Sequence, residues 1–201
     1  MLVGAGTLTG HDLALALAAR GATVVITDRT ADALLRTARH APESIQTLEC
    51  DLRRPDICAR IGAIWGAEPL SGVVNLLPLA QPGLMEMALR SSVGLGRGFR
   101  GALMAGRGCL TLCAPLAEPE HWAGLAGEAA MEHLVKEMAQ GLAPGRIRVN
   151  GILAEAAVTG AAMAAVLAML GQQRGINGAM IPLAGRPVAL KAEGERQAGS
   201  D

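Results

Sequence analysis

The residues best placed to do chemistry bracket one short stretch at the start of the chain. Gly4-Ala5-Gly6-Thr7-Leu8-Thr9-Gly10 follows an apolar run, and Asp28 closes a second run, Thr23-Val24-Val25-Ile26-Thr27. Between them Leu13, Ala14, Leu17 and Ala18 recur at helical spacing up to Arg20-Gly21. Strand, glycine-rich turn, helix and a strand ending in a carboxylate form a layout suited to a dinucleotide. The free N–H groups and positive dipole end of the helix meet a pyrophosphate, and the carboxylate accepts from ribose hydroxyls. Gly4, Gly6, Gly10 and Asp28 are therefore candidate cofactor contacts, joined by Asp51 after the predicted strand Ile45–Glu49 and by Asn75 at the end of Val73-Val74-Asn75. Asp28 favours NAD over NADP, while Arg29 beside it suits a 2′-phosphate. A tight turn kept for folding alone explains the same glycines, and both readings stand.

Other reactive side chains are few. His121 and His133 fall on the helical stretch that carries Gly124 and Glu128, and an imidazole can act as general base. No Ser or Asn partner is present to orient either ring, so both read as surface histidines. Lys136 is one of only two lysines and reads as a solvated face residue. Cys50, Cys58, Cys109 and Cys113 show no Cys-x-x-Cys spacing and no clustered histidines, so they read as buried thiols in a reducing compartment, without a metal.

Taken in order, these motifs resemble the short-chain dehydrogenase/reductase family over almost the whole chain. Gly4 and Gly10 match the outer positions of that family's Gly-x-x-x-Gly-x-Gly, and Asn75-Leu76-Leu77-Pro78 is similar to a degraded Asn-Asn-Ala-Gly. Arg146-Ile147-Arg148-Val149-Asn150 resembles its sixth strand, and the stretch 175–183 its last. The resemblance implies an α/β, Rossmann-type, doubly wound and mostly parallel seven-stranded sheet with helices on both faces. One domain is expected over 1–188, with a polar tail at 189–201. Leu8 stands at the middle glycine, where a side chain crowds the phosphates, so the expectation is no cofactor or a weakly held NAD.

The departures from the family are as informative as the matches. Its proton transfer uses Tyr-x-x-x-Lys, a serine on the substrate carbonyl and a relay asparagine, yet no tyrosine occurs in the 201 residues. Counting places Gly124 and Glu128 at the Tyr and Lys positions, and the fifth strand ends in Ala114-Pro115 where the serine belongs. No asparagine lies between Asn75 and Asn150. No residue is assigned a catalytic role on this pattern. The substrate lid is expected to be lost, because Asn150 is followed by Gly151-Ile152-Leu153-Ala154-Glu155 and a helix over 157–170. The segment 82–108, interrupted by Gly94, Gly96, Gly98 and Gly101, predicts a weak or kinked helix.

With 51% hydrophobic residues the chain can bury one sizeable core, and its zero formal net charge offers no footprint for nucleic acid or an anionic membrane. The apolar run 157–170 is too short to cross a bilayer. Met1 leads straight into the first strand, so no targeting segment and a cytoplasmic location are expected. The resemblance and the losses together imply a catalytically inactive subunit that assembles with an active relative, or with itself, in an oxidoreductase acting on a ketone, a secondary alcohol or an acyl thioester. Pairing is expected through the helix Trp122–Leu142, with Ala130 and Met131 towards the partner, and the helix over 157–170 is apolar nearly all round. Two other readings are an NAD(H)-binding regulatory module without turnover and an enzyme of altered chemistry built on His121 or Glu128.

Overall fold

Alternating apolar runs become strands wherever both faces of a sheet are covered. The computed structural model describes residues 1–184, and the expected tail at 189–201 lies outside them. Seven strands, β1 (Leu2–Val3), β2 (Val24–Asp28), β3 (Ile45–Glu49), β4 (Gly72–Asn75), β5 (Cys109–Pro115), β6 (Arg148–Ala154) and β7 (Met180–Leu183), pair in parallel in the order β3-β2-β1-β4-β5-β6-β7. Neighbouring residues point to opposite faces: Leu2 and Val74 belong to one core, Val3 and Val73 to the other. Helices α1 (Leu8–Ala18), α2 (Ala31–Ala38) and α8 (Gly160–Gln172) cover the first face. Helices α3 (Pro55–Trp65), α5 (Met85–Gly98), α6 (Arg100–Gly106) and α7 (Trp122–Leu142) cover the second, and α4 (Leu77–Ala80) is a single turn after β4. The sheet is doubly wound, as expected, and parallel throughout.

Local chemistry sets the helix ends. Thr7 caps α1, its hydroxyl accepting from Gly10 N at 3.1 Å, and Thr159 caps α8 in the same way at 3.2 Å. Pro55 opens α3, where its missing N–H is no loss. The guanidinium of the buried Arg148 donates to the carbonyls of Leu170 and Gln173, satisfying the C-terminal end of α8 and its negative dipole.

Over 82–108 the expected break occurs at Phe99, between α5 and α6 (φ −97°, ψ 16°). The glycines before it have another purpose. A Cβ on Gly62 collides with the Gly98 carbonyl, one on Gly98 collides with the Cys58 carbonyl, and Gly94 faces Pro55 Cα at 3.1 Å. α3 and α5 therefore meet backbone to backbone. On the opposite face Gly160 lies against the main chain of Asp12 and Leu13, so α1 buries part of α8 that the sheet does not reach. This accounts for some of the apolar surface expected all round that helix, which starts at Gly160 rather than 157.

Only residues 155–159 join β6 to α8, too few to form a lid in that connection. β7 is the last strand in the order and pairs Pro182 with Leu153. Gly151 N donates to Ala179 O and Glu155 N to Leu183 O, so the main-chain groups of Met180 and Pro182 point away from β6. Among the described residues no helix is long and apolar enough to cross a membrane.

Candidate functional site

The chain lays down β1, β2 and β3 in one direction and then returns to place β4 on the other side of β1. That reversal opens a crevice at the carboxyl ends of β1 and β4, the usual ligand position in such sheets. Gly4 turns the chain out of β1 with φ +77°, a conformation that favours glycine, and its N–H and that of Ala5 both donate to Thr27 O at 2.9 and 3.0 Å. Gly6 N donates to Asp28 Oδ2 at 2.9 Å, and a Cβ there would sit 2.8 Å from that oxygen. Asp28 Oδ1 accepts from Arg29 N at 2.7 Å. Gly10 lets α1 press on the turn, since its Cβ would lie 2.6 Å from Ala5 Cα. Gly4, Gly6, Gly10 and Asp28 thus come together, with Asp28 built into the loop as its anchor.

Asp51 stands beside them, held by Arg53 through Nε–Oδ1 at 2.6 Å and Nη2–Oδ2 at 2.5 Å. This guanidinium keeps the Asp51 carboxyl below the ordinary carboxylate range, while burial pushes the neighbouring Cys50 thiol up. Sequence reasoning missed Arg53, although the Asp-x-Arg spacing across a turn was its signal. Asn75 is fully buried and lies outside the crevice lining. Its Oδ1 accepts from Leu77 N at 3.1 Å, and its Nδ2 donates to Ser92 at 3.0 Å and Ser91 at 3.3 Å. Both serines donate to Ala88 O, so Asn75 ties β4 to α5 from behind the site.

The open space in the crevice is about 90 Å³, lined among others by Thr27, Arg29, Arg53, Leu77 and Gln81. Small-molecule sites run to roughly 300–1,000 Å³. Leu77 lies close over the turn, its Cδ2 2.9 Å from where a Gly4 Cβ would stand. Thr27 Oγ1 and Gln81 Oε1 are buried there with no hydrogen-bond partner among the described residues, although the weakly donating Cys50 thiol stands beside Thr27. Leu8 is the first residue of α1 and 85% exposed, and it is not among the residues that line the crevice.

At the positions that counting along the sequence matched to the family's Tyr and Lys, His121 Nδ1 lies 2.6 Å from where a Gly124 Cβ would be, so the imidazole covers the place from which a larger side chain would grow. Glu128 Oε2 accepts from Ala117 N at 3.1 Å and steadies the connection between β5 and α7. Lys136 pairs with Glu132 at 2.6 Å, and His133 is exposed. Met131 is 0% exposed and faces the sheet, which corrects its expected place towards a partner, and Ala130 is half-buried. The outer stripe of α7 is instead Trp122, Leu125, Ala129, His133 and Lys136. A larger groove, about 890 Å³, runs between α3 and α5 and shares no lining residue with the crevice.

No protein-family model matches the chain, and no curated protein matches its sequence. Solved structures do match. The chain is similar to a hydroxysteroid dehydrogenase from Escherichia coli (TM-score 0.74, 20% identity, covering 92% of this chain and 94% of that one). It is also similar to Pseudomonas aeruginosa RhlG in its NADP active-site complex (0.75, 20%, 92% and 94%) and to YwfH, an NADPH-dependent reductase involved in bacilysin biosynthesis (0.76, 18%, 91% and 96%). The expectation of no cofactor or a weakly held NAD is thereby corrected: of these proteins of similar architecture, one is an NADPH-dependent reductase and another holds NADP. Likeness at such low identity speaks for architecture and leaves activity to be argued from the site. In strand order, glycine turn and extent, the chain has the fold of the short-chain dehydrogenase/reductases.

Proposed function

We propose that this chain binds NADP(H) in the β1–β4 crevice and acts as a non-catalytic subunit beside an active relative of the same fold. The residues fit the adenosine end of that cofactor. Arg29 and Arg53 suit a 2′-phosphate, the turn from Gly4 and the N-terminus of α1 suit a pyrophosphate, and a bound nucleotide gives Thr27 Oγ1 and Gln81 Oε1 the partners they lack. Asp28 already accepts from two main-chain N–H groups, which leaves it less able to select the ribose diol of NAD. Admitting the nucleotide requires the connection 77–84 to swing away from Gly4.

The observation that carries the non-catalytic part is at the start of α7. Gly124 has no side chain to donate a proton, and Glu128 puts a main-chain-bonded carboxylate where a cation belongs. The active relative would supply the chemistry, on a ketone, a secondary alcohol or an acyl thioester, in the cytoplasm where NADP(H) is available. Calorimetry on the purified chain should show NADP binding that weakens about tenfold or more in Arg29→Ala or Arg53→Ala, with NAD little affected. No NADPH oxidation should accompany any carbonyl substrate. Hydride transfer by the chain alone, abolished in His121→Ala, would replace this reading with an enzyme of altered chemistry.

A further inference from the structure

Away from the crevice, two of the four histidines meet where α1 passes the end of α2. The His11 and His40 rings have centroids 5.3 Å apart and planes at 83°. A carbonyl partner sets the tautomer of His40, and a threonine hydroxyl that donates elsewhere sets that of His11. His40 Nδ1 lies 2.9 Å from the Arg36 carbonyl, which can only accept, so Nδ1 carries the hydrogen. The Thr37 hydroxyl donates to Ala33 O at 3.2 Å and accepts from His11 Nδ1 at 2.9 Å. Both rings therefore present an Nε2 lone pair, and neither Nε2 has a protein partner among the described residues. A neutral imidazole whose other nitrogen donates to a fixed oxygen is the form in which histidine ligates metals. With Zn–N bonds of about 2.0–2.1 Å and a tetrahedral angle, two imidazoles on one ion have centroids about 5 Å apart.

We propose that His11 and His40 form a binding site for a borderline divalent cation of the zinc and nickel class, with water completing the coordination and the ion clamping α1 to α2. Imidazole nitrogens select such ions over magnesium or calcium, which take oxygen ligands. The rings come from α1 and from the turn just after α2, so the ion couples the first turns of α1, next to Gly10, to the C-terminal end of α2. Edge-to-face packing of the two rings is the competing account, and it binds nothing.

Calorimetric titration of the full chain with zinc chloride, repeated with nickel chloride, separates the two. One equivalent is expected per chain, with affinity falling about tenfold or more in His11→Gln and in His40→Gln. Thr37→Val, which removes only the oxygen that orients His11, should cost about ten- to a hundredfold. His40 is exposed, so its variant leaves the fold intact, and His133→Gln and Cys50→Ser should bind as the parent does. Zinc should raise the melting temperature of the parent and not of His40→Gln. The proposal is overturned if no ion binds at millimolar concentration, if binding survives His40→Gln, or if Cys50→Ser abolishes it.

Discussion

Both carboxylate oxygens of Asp28 are taken up by the main chain, and this single residue shows how local turn chemistry was legible while its purpose was not. The glycines and the carboxylate were visible as a pattern, but that Asp28 holds Gly6 depends on the loop folding back over β2. Asn75 was equally visible, yet Ser91 and Ser92, which define what it does, come from α5 and form no local motif with it. Asp51 gives a pH test. Its folded pKa is depressed by Arg53, so the pair adds stability above the unfolded carboxylate value, about 3.9, and that stability is lost as pH falls below roughly 4. The pair is part-exposed and screened, so the loss is at most about 1 kcal/mol, seen as a smaller fall in denaturant midpoint between pH 7 and 3 for Arg53→Gln than for the parent. The thiols give another. Burial pushes Cys58 and Cys113 up to about 12, and Cys109 is buried, whereas Cys50 is half-exposed. Brief iodoacetamide treatment of the folded chain should modify Cys50 alone, with the rest reacting only in denaturant, as peptide mass mapping would show.

Among the elements, the α3–α5 contact marks where sequence reading gave out. A run of glycines predicts a weak helix, and the helix does break, at Phe99, but the glycines serve a close approach that only α3 reveals. Gly62→Ala should therefore destabilise the chain by about 1–3 kcal/mol, since the added methyl meets the Gly98 carbonyl and outweighs the roughly 1 kcal/mol that alanine gains in a helix. Gly141→Ala, late in α7 with nothing within 4 Å of its Cβ, should stabilise by up to about 1 kcal/mol. Urea unfolding of the two variants tests the contrast, and equal effects would remove the packing argument. The strands were easier to read. An apolar run such as β2 owes its form to burial between helices, which its composition already encodes.

At the level of the molecule, the doubly wound order could be anticipated because each βαβ unit permits one hand of connection. Which face of α7 would meet a partner could not, because Met131 and Leu125 are equally apolar and only the sheet decides between them. Leu125→Arg or Ala129→Arg should abolish a co-purified complex, by native mass measurement, with little change in melting temperature, whereas Met131→Arg should unfold the chain. The proposed partnership is then expected on helical surfaces, and the two terminal strands of the sheet explain why. A bare strand edge invites any extended chain to dock, and from there open-ended stacking begins. Pro182 turns its missing N–H outward on β7, so a newcomer finds no donor at that step. At the other end, β3 presents Gln46, Thr47 and Glu49 to solvent, polar groups that a neighbouring sheet cannot easily bury. Among the described residues, both margins of the sheet thus carry groups that discourage open-ended stacking of one sheet on another, which is in keeping with the closed, helix-mediated pairing proposed above.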